Sequence, residues 1–155
     1  MEAKWELRPL IKITVRNLAG HILEVVEYQN TIKTVALTML RDALRGSVSD
    51  CAIKYMATGD DGTTPIAGPP NTLGNEVFRK LITSFSLPAA NKLKTTVYLS
   101  PANSVGWIRE LGWFCGATAG AGVNTGILLG HVLYSRNKTA VESITVERTD
   151  TLEEA

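Results

Sequence analysis

From Ile11 to Arg16 apolar and polar residues alternate, the period of a strand with one buried face. Leu18-Ala-Gly-His follows, with Gly20 free to take the positive φ of a turn, and Ile22 to Tyr28 resumes β-rich composition. Together these predict an N-terminal hairpin. From Thr34 to about Gly46 the period becomes helical. Val35, Leu37, Leu40, Ala43 and Leu44 are spaced as an apolar stripe, Thr34 is placed as N-cap, Arg41 and Arg45 fall in the last turns, and Gly46 is placed to end the helix. Beyond it, 52–58, 80–87, 93–100, 106–115, 127–135 and 141–148 are short β-compatible runs separated by Gly, Pro, Asn or Ser. The pattern predicts a mainly β fold, an antiparallel sandwich or barrel with one packed α-helix over about 34–46.

The chain has 155 residues, a formal net charge of +1, 45% hydrophobic and 20% charged residues. Those proportions suit one β-rich domain over 1–147 with an N-terminal arm, leaving 148–155 as an acidic C-terminal tail. A protein held to DNA or RNA by phosphate contacts is clearly basic, so no direct nucleic-acid partner is expected. The longest apolar runs, such as Ile127 to Tyr134, fall short of the roughly 20 residues of a membrane helix, so no membrane partner is expected either. The N-terminal residues Glu2, Lys4, Glu6 and Arg8 do not read as a secretory signal. Cys51 and Cys115 have no second thiol or His at metal-ligand spacing and read as free thiols in a reducing compartment.

Two loops stand out. Gly59 to Pro70 is too rich in Gly and Pro for regular structure, and Gly116 to Gly126 is a flexible run of small residues. Asp60 and Asp61 stand beside a turn, but the alternating oxygen ligands of an EF-hand are absent, so they read as solvated turn residues. No Gly-Lys-Ser/Thr follows any glycine, which removes a phosphate loop. His21 falls in the hairpin turn, and His131 reads as a hydrogen-bonded strand residue. No catalytic residue, metal or cofactor is expected. Trp107 and Trp113 are six residues apart and share one face of a regular strand, with Ile108 and Phe114 on the other. If one face covers the core, the other needs a cover, which points to a subunit interface.

Several segments, taken in order, resemble a known pattern. Ile53 to Gly68 contains Gly59-Asp-Asp-Gly-Thr-Thr-Pro, and Leu73-Gly-Asn-Glu-Val-Phe-Arg79 follows it. Then come Ile108-Arg-Glu-Leu-Gly-Trp-Phe114, Gly126-Ile-Leu-Leu-Gly-His-Val-Leu133 and Thr139 to Glu147. From about Ile11 to Glu147 this order resembles the small tail-fibre-like structural proteins of tailed bacteriophages. In that family a Gly-x-Gly-Thr-Thr-x-Pro turn leads to Leu-Gly-x-Glu-x-x-Arg and then to an Ile-x-Glu-x-Gly-Leu-Phe strand. Here Asp60-Asp61 stands in place of a single residue, Pro69-Pro70 is unusual for the pattern, and 149–155 run past the usual end.

The resemblance implies a non-enzymatic virion structural protein that forms a symmetric homo-oligomer, a trimer by preference, and contacts other virion proteins. Attachment to the tail or baseplate is favoured over capsid decoration. The expected subunit contacts are Asp60, Asp61, Pro69, Pro70, Trp107, Trp113, Phe114, Val123, Asn124 and Leu152. An alternative from the residues is a β-sandwich carbohydrate-binding, receptor-binding module, in which exposed Trp107 or Trp113 stacks on sugar rings beside Arg109 and Glu110, which requires both tryptophans to be exposed. A third is a hydrolase pairing His131 with a Ser or Cys.

Overall fold

A computed structural model describes residues 5–63 and 67–154. In chain order these form β1 (Trp5–Asn17), β2 (Ile22–Gln29), α1 (Thr34–Leu44), β3 (Ile53–Gly59), β4 (Glu76–Leu81) and β5 (Ser84–Ala89). β6 (Lys92–Leu99), β7 (Gly106–Cys115), β8 (Ile127–Lys138) and β9 (Glu142–Glu154) follow. The strands make two antiparallel sheets, ordered β2-β1-β9-β6-β5 and β4-β3-β7-β8, with α1 against β8.

The alternation read in β1 buries Ile11, Ile13 and Val15, and Gly20 turns the hairpin at a φ of +86°. Those side chains meet Val97 and Leu99 of β6 and Ile144 and Val146 of β9 on the inner face of the five-stranded sheet. Met56, Leu111, Trp113 and Val132 oppose them from the four-stranded sheet, and Ala36 and Met39 of α1 complete the core. Alternate positions of β1, β6 and β9 thus face a shared interior, the requirement of a sandwich. Cys115 lies in this core and Cys51 at its border, both as free thiols. Burial pushes the Cys115 thiol up to about 12.

Four expectations need correction. The helix begins at Thr34, so Thr34 is not the N-cap; that position is Lys33, which makes no side-chain capping bond. Its buried residues are Ala36 and Met39, while Leu37 is 52% and Leu44 93% exposed. The face turned inward is set by tertiary anchors at the helix start, where Lys33 N donates to Leu129 O and Thr34 N to Gly68 O. The predicted ending holds: Arg45 caps the helix and Gly46 follows at a φ of +80°.

The single run 80–87 is two strands in different sheets. Ile82 N donates to Lys54 O in one sheet and Thr83 N to Thr96 O in the other, so the chain changes layer between these residues. Residues 148–154 are not a tail. They continue β9, paired with β1 from Trp5↔Glu154 through Leu10↔Thr149 and with β6 from Lys92↔Thr151. The inward row Ile144, Val146, Arg148, Asp150 is interrupted in hydrophobicity only because an ion pair takes its last two places, with Arg148 Nη2 2.8 Å from Asp150 Oδ1.

The two tryptophans do not share a face. The β7–β8 register shifts between Ile108 and Glu110, which advances the side-chain alternation by one residue. Ile108, Leu111, Trp113 and Cys115 therefore all point into the core, and Trp107 lies outside it, half exposed.

Candidate functional site

The motif segments come together on the outer face of the four-stranded sheet. Ala57 of β3, Phe114 of β7 and Leu128 of β8 form a small apolar floor, and Leu73 closes over it. Leu73 fits because position 112 is glycine: a Cβ there would lie 2.7 Å from a Leu73 methyl and 2.9 Å from a Leu128 methyl. Asn71 fastens the segment to the sheet edge, donating through Nδ2 to Gly126 O at 3.3 Å and accepting Leu128 N–H at Oδ1, 2.9 Å.

Glu110 is the second fastening. Its carboxylate accepts Gly74 N–H at 3.0 Å and Asn75 N–H at 2.9 Å, and its Oε2 lies 2.8 Å from His131 Nε2. Neither side chain is exposed. Burial alone would push the Glu110 carboxyl up, but the bonds from His131, Asn75 and Gly74 outweigh it and hold the group below its ordinary value. Gly59 lets the carboxylate approach, since a Cβ there would meet both Glu110 and Asn75 O. Asp60 adds a surface tie by accepting Asn75 Nδ2 at 2.7 Å.

Arg79 is the third fastening. It pairs with Glu76 through Nε to Oε1 at 2.6 Å and Nη2 to Oε2 at 3.0 Å, with both side chains buried. Its Nη1 donates to Gly120 O at 2.8 Å and Thr125 O at 2.9 Å, and its guanidinium lies 4.3 Å from the Phe114 ring centroid. Glu76 Oε2 also accepts Asn124 N–H at 2.9 Å. The loop 116–126, expected to be flexible, is thus held to β4 by a buried ion pair. Phe114 and the face expected to need a subunit are covered by the chain's own loops.

These groups bind backbone, and their chemistry is that of a clamp. Glu110 and His131 have no exposed surface through which a substrate would meet them. Among the described residues no three His, Cys, Asp or Glu are grouped to hold a metal, and no helix is long and apolar enough to cross a membrane.

The remaining predicted contact residues fall in separate places. Trp107 is 50% exposed and stacks with Arg109, whose Cζ is 5.1 Å from the ring centroid; Arg109 also reaches Asp60 O. Asp61 accepts both Thr63 N–H and Thr63 Oγ1–H, the local turn expected of it. Trp113 lies in the core and Trp107 is half exposed, so the exposure of both rings that the carbohydrate alternative requires is not met. Pro69 is exposed and Pro70 half-buried, while residues 64–66 of the same loop lie outside the described residues. Val123 and Asn124 are exposed at the tip of the clamped loop.

Leu152, 51% exposed, borders an apolar cleft of about 520 Å³ between the two sheets, walled by Met39, Leu40, Ile53 and Leu129. Phe85 and Leu87 of β5 form the opposite rim and are 54% and 78% exposed. The sequence reading missed these two. The signal was the alternation Ser84-Phe-Ser-Leu, a strand pattern whose apolar face has no strand above it.

Comparison with protein-family models, with curated proteins and with solved structures finds no match for the chain.

Proposed function

We propose that the chain is a non-enzymatic structural subunit of a tailed-bacteriophage virion, assembled as a symmetric homo-trimer and attached to the tail or baseplate in preference to the capsid surface. The virion assignment rests on the ordered motif segments, and the clamp supports treating them as one unit. Leu73, Gly74, Glu76, Arg79, Glu110, Gly112, Phe114 and Leu128, drawn from three of those segments, meet in a single cluster.

The observation that carries self-association is the rim of Phe85, Leu87 and Leu152 around the apolar cleft. An edge strand with uncovered apolar side chains is an association surface unless something covers it. A second copy of the chain is the partner that a repeating particle supplies.

Size-exclusion chromatography with light scattering tests the reading. A trimer has three times the 16.8 kDa of one chain. A stable monomer at micromolar concentration overturns it.

A further inference from the structure

A three-fold ring of identical chains joins two different patches at every contact, because the surface given by one copy meets a surface that its neighbour presents elsewhere. The rim of Phe85, Leu87 and Leu152 is one such patch. Its counterpart is a second exposed apolar surface on the same chain.

The β1–β2 hairpin carries that surface. Leu18, Ile22, Leu23 and Val25 are all exposed, four large apolar side chains in eight residues, and no other eight-residue stretch among the described residues exposes as many. The alternation of β2 accounts for it. Val26 and Tyr28, opposite Ile13 and Ile11, pack against the core, which leaves Leu23 and Val25 on the outer face. The ionisable groups of the stretch are His21, in the turn, and Glu24. Glu24 is already engaged: its carboxylate accepts Tyr134 Oη–H at 2.7 Å and lies 3.5 Å from Arg136 Nη1. On the rim, β5 has no charged residue, and Glu153 beside Leu152 is held by Arg8 at 3.1 Å. Neither patch therefore brings an unpaired carboxylate to the other. Other exposed apolar side chains lack this property, since Leu37 and Leu44 of α1 are interspersed with exposed Arg41 and Arg45, and Trp107 is stacked with the Arg109 guanidinium.

The two patches are also placed apart. β2 and β5 are the two edges of the five-stranded sheet, roughly 19 Å from each other at four spacings of about 4.8 Å. A ring requires such separation, because each chain touches two neighbours at once.

We propose that the β5 rim of each copy docks on the β1–β2 hairpin of the next copy, with Phe85 and Leu87 covering Leu23 and Val25. This pairing rests on the three-fold assembly proposed for the chain, and it names the surface that the rim meets.

Mixing two variants tests it. Leu23→Asp and Leu87→Asp each spoil one patch at an exposed position, and each should be monomeric by light scattering with a native amide spectrum. Together they restore one contact, between the intact hairpin of the Leu87→Asp chain and the intact rim of the Leu23→Asp chain, and the spoiled patches stop the ring from closing. Adding unlabelled Leu23→Asp to isotope-labelled Leu87→Asp should shift the amides of residues 18–25, and the mixture should sediment as a heterodimer. Adding unlabelled Leu87→Asp instead should shift none of them. A Leu23→Asp chain that remains trimeric, or a first mixture without shifts, overturns the pairing and leaves the trimer standing. A monomeric unaltered chain overturns the trimer and the pairing together. Should Leu23→Asp fail to fold, Val25→Asp on the same face takes its place in each arm.

Discussion

Glu110 on β7 and His131 on β8 face each other at 2.8 Å, both without exposed surface, and the same carboxylate holds the amides of Gly74 and Asn75. One side chain thus fastens the connection 60–75 between β3 and β4, whose described residues are also held at Asp60, Gly68 and Asn71.

Glu110→Gln keeps the shape and removes the charge, and we expect a loss of about 1.5–3 kcal/mol in urea unfolding. The pH dependence has a definite sign. Because the folded carboxyl lies below its ordinary 4.5, its contribution is complete above pH 4.5 and disappears as the pH falls through the lowered folded value. Stability of Glu110→Gln will therefore fall less than that of the unaltered chain between pH 5 and strong acid, roughly the window over which such a carboxylate titrates.

Arg79→Ala should release the loop 116–126. It leaves the Glu76 carboxylate buried without its guanidinium, a change that costs about 3–5 kcal/mol. Hydrogen exchange at Gly120 to Thr125 should accelerate more than exchange in β1 and β9. Equal acceleration everywhere would mean that Arg79 holds the whole fold and not this loop.

Two glycines separate packing from backbone freedom. Gly130→Ala places a methyl against the Arg148 guanidinium and should destabilise by about 1–3 kcal/mol. Gly120→Ala meets only Thr125 Oγ1 at 3.8 Å, an ordinary contact, and should stay within about 0.5 kcal/mol. Thermal unfolding of the pair checks the contrast.

Trp113→Ala should cost about 3–5 kcal/mol, whereas Trp107→Ala should change stability by far less. Equal costs in denaturant titrations would contradict the register shift that separates the two rings.

Leu87→Asp tests association without disturbing the core. Leu87 is 78% exposed, so monomer stability should move by no more than about 0.5 kcal/mol. Light scattering should show the proposed trimer giving way to monomer. An unchanged trimer would remove this rim from the interface.

Much of the fold was legible because its strands keep a clean period: Ile11, Ile13 and Val15 face inward as read, and β7 runs from Gly106 to Cys115 as expected. The errors share a physical origin in tertiary contacts that leave no local mark. A bulge after Ile108 reverses a face, a corner at Ile82–Thr83 moves the chain between sheets, and an Arg148–Asp150 pair makes a core strand look like a polar tail. The clamp was half legible. Its residues stood out as motifs, but the pairing of Glu110 with Gly74 and Asn75 spans 36 and 35 positions and exists only once the sheet has formed.

The place of β9 also sets an order of events. Among the described residues it is the last strand in sequence, and it is the middle strand of its sheet, joining the β1–β2 hairpin to the β5–β6 hairpin. Until residues 142–154 leave the ribosome, the two hairpins share no strand and the inner edges of β1 and β6 remain open. The five-stranded sheet therefore closes only once β9 has been made, through pairings as distant as Trp5 with Glu154, and the nascent chain carries two unpaired edges until then. A chain that stops before Glu142 would lack the strand that joins β1 to β6, and with it the five-stranded sheet.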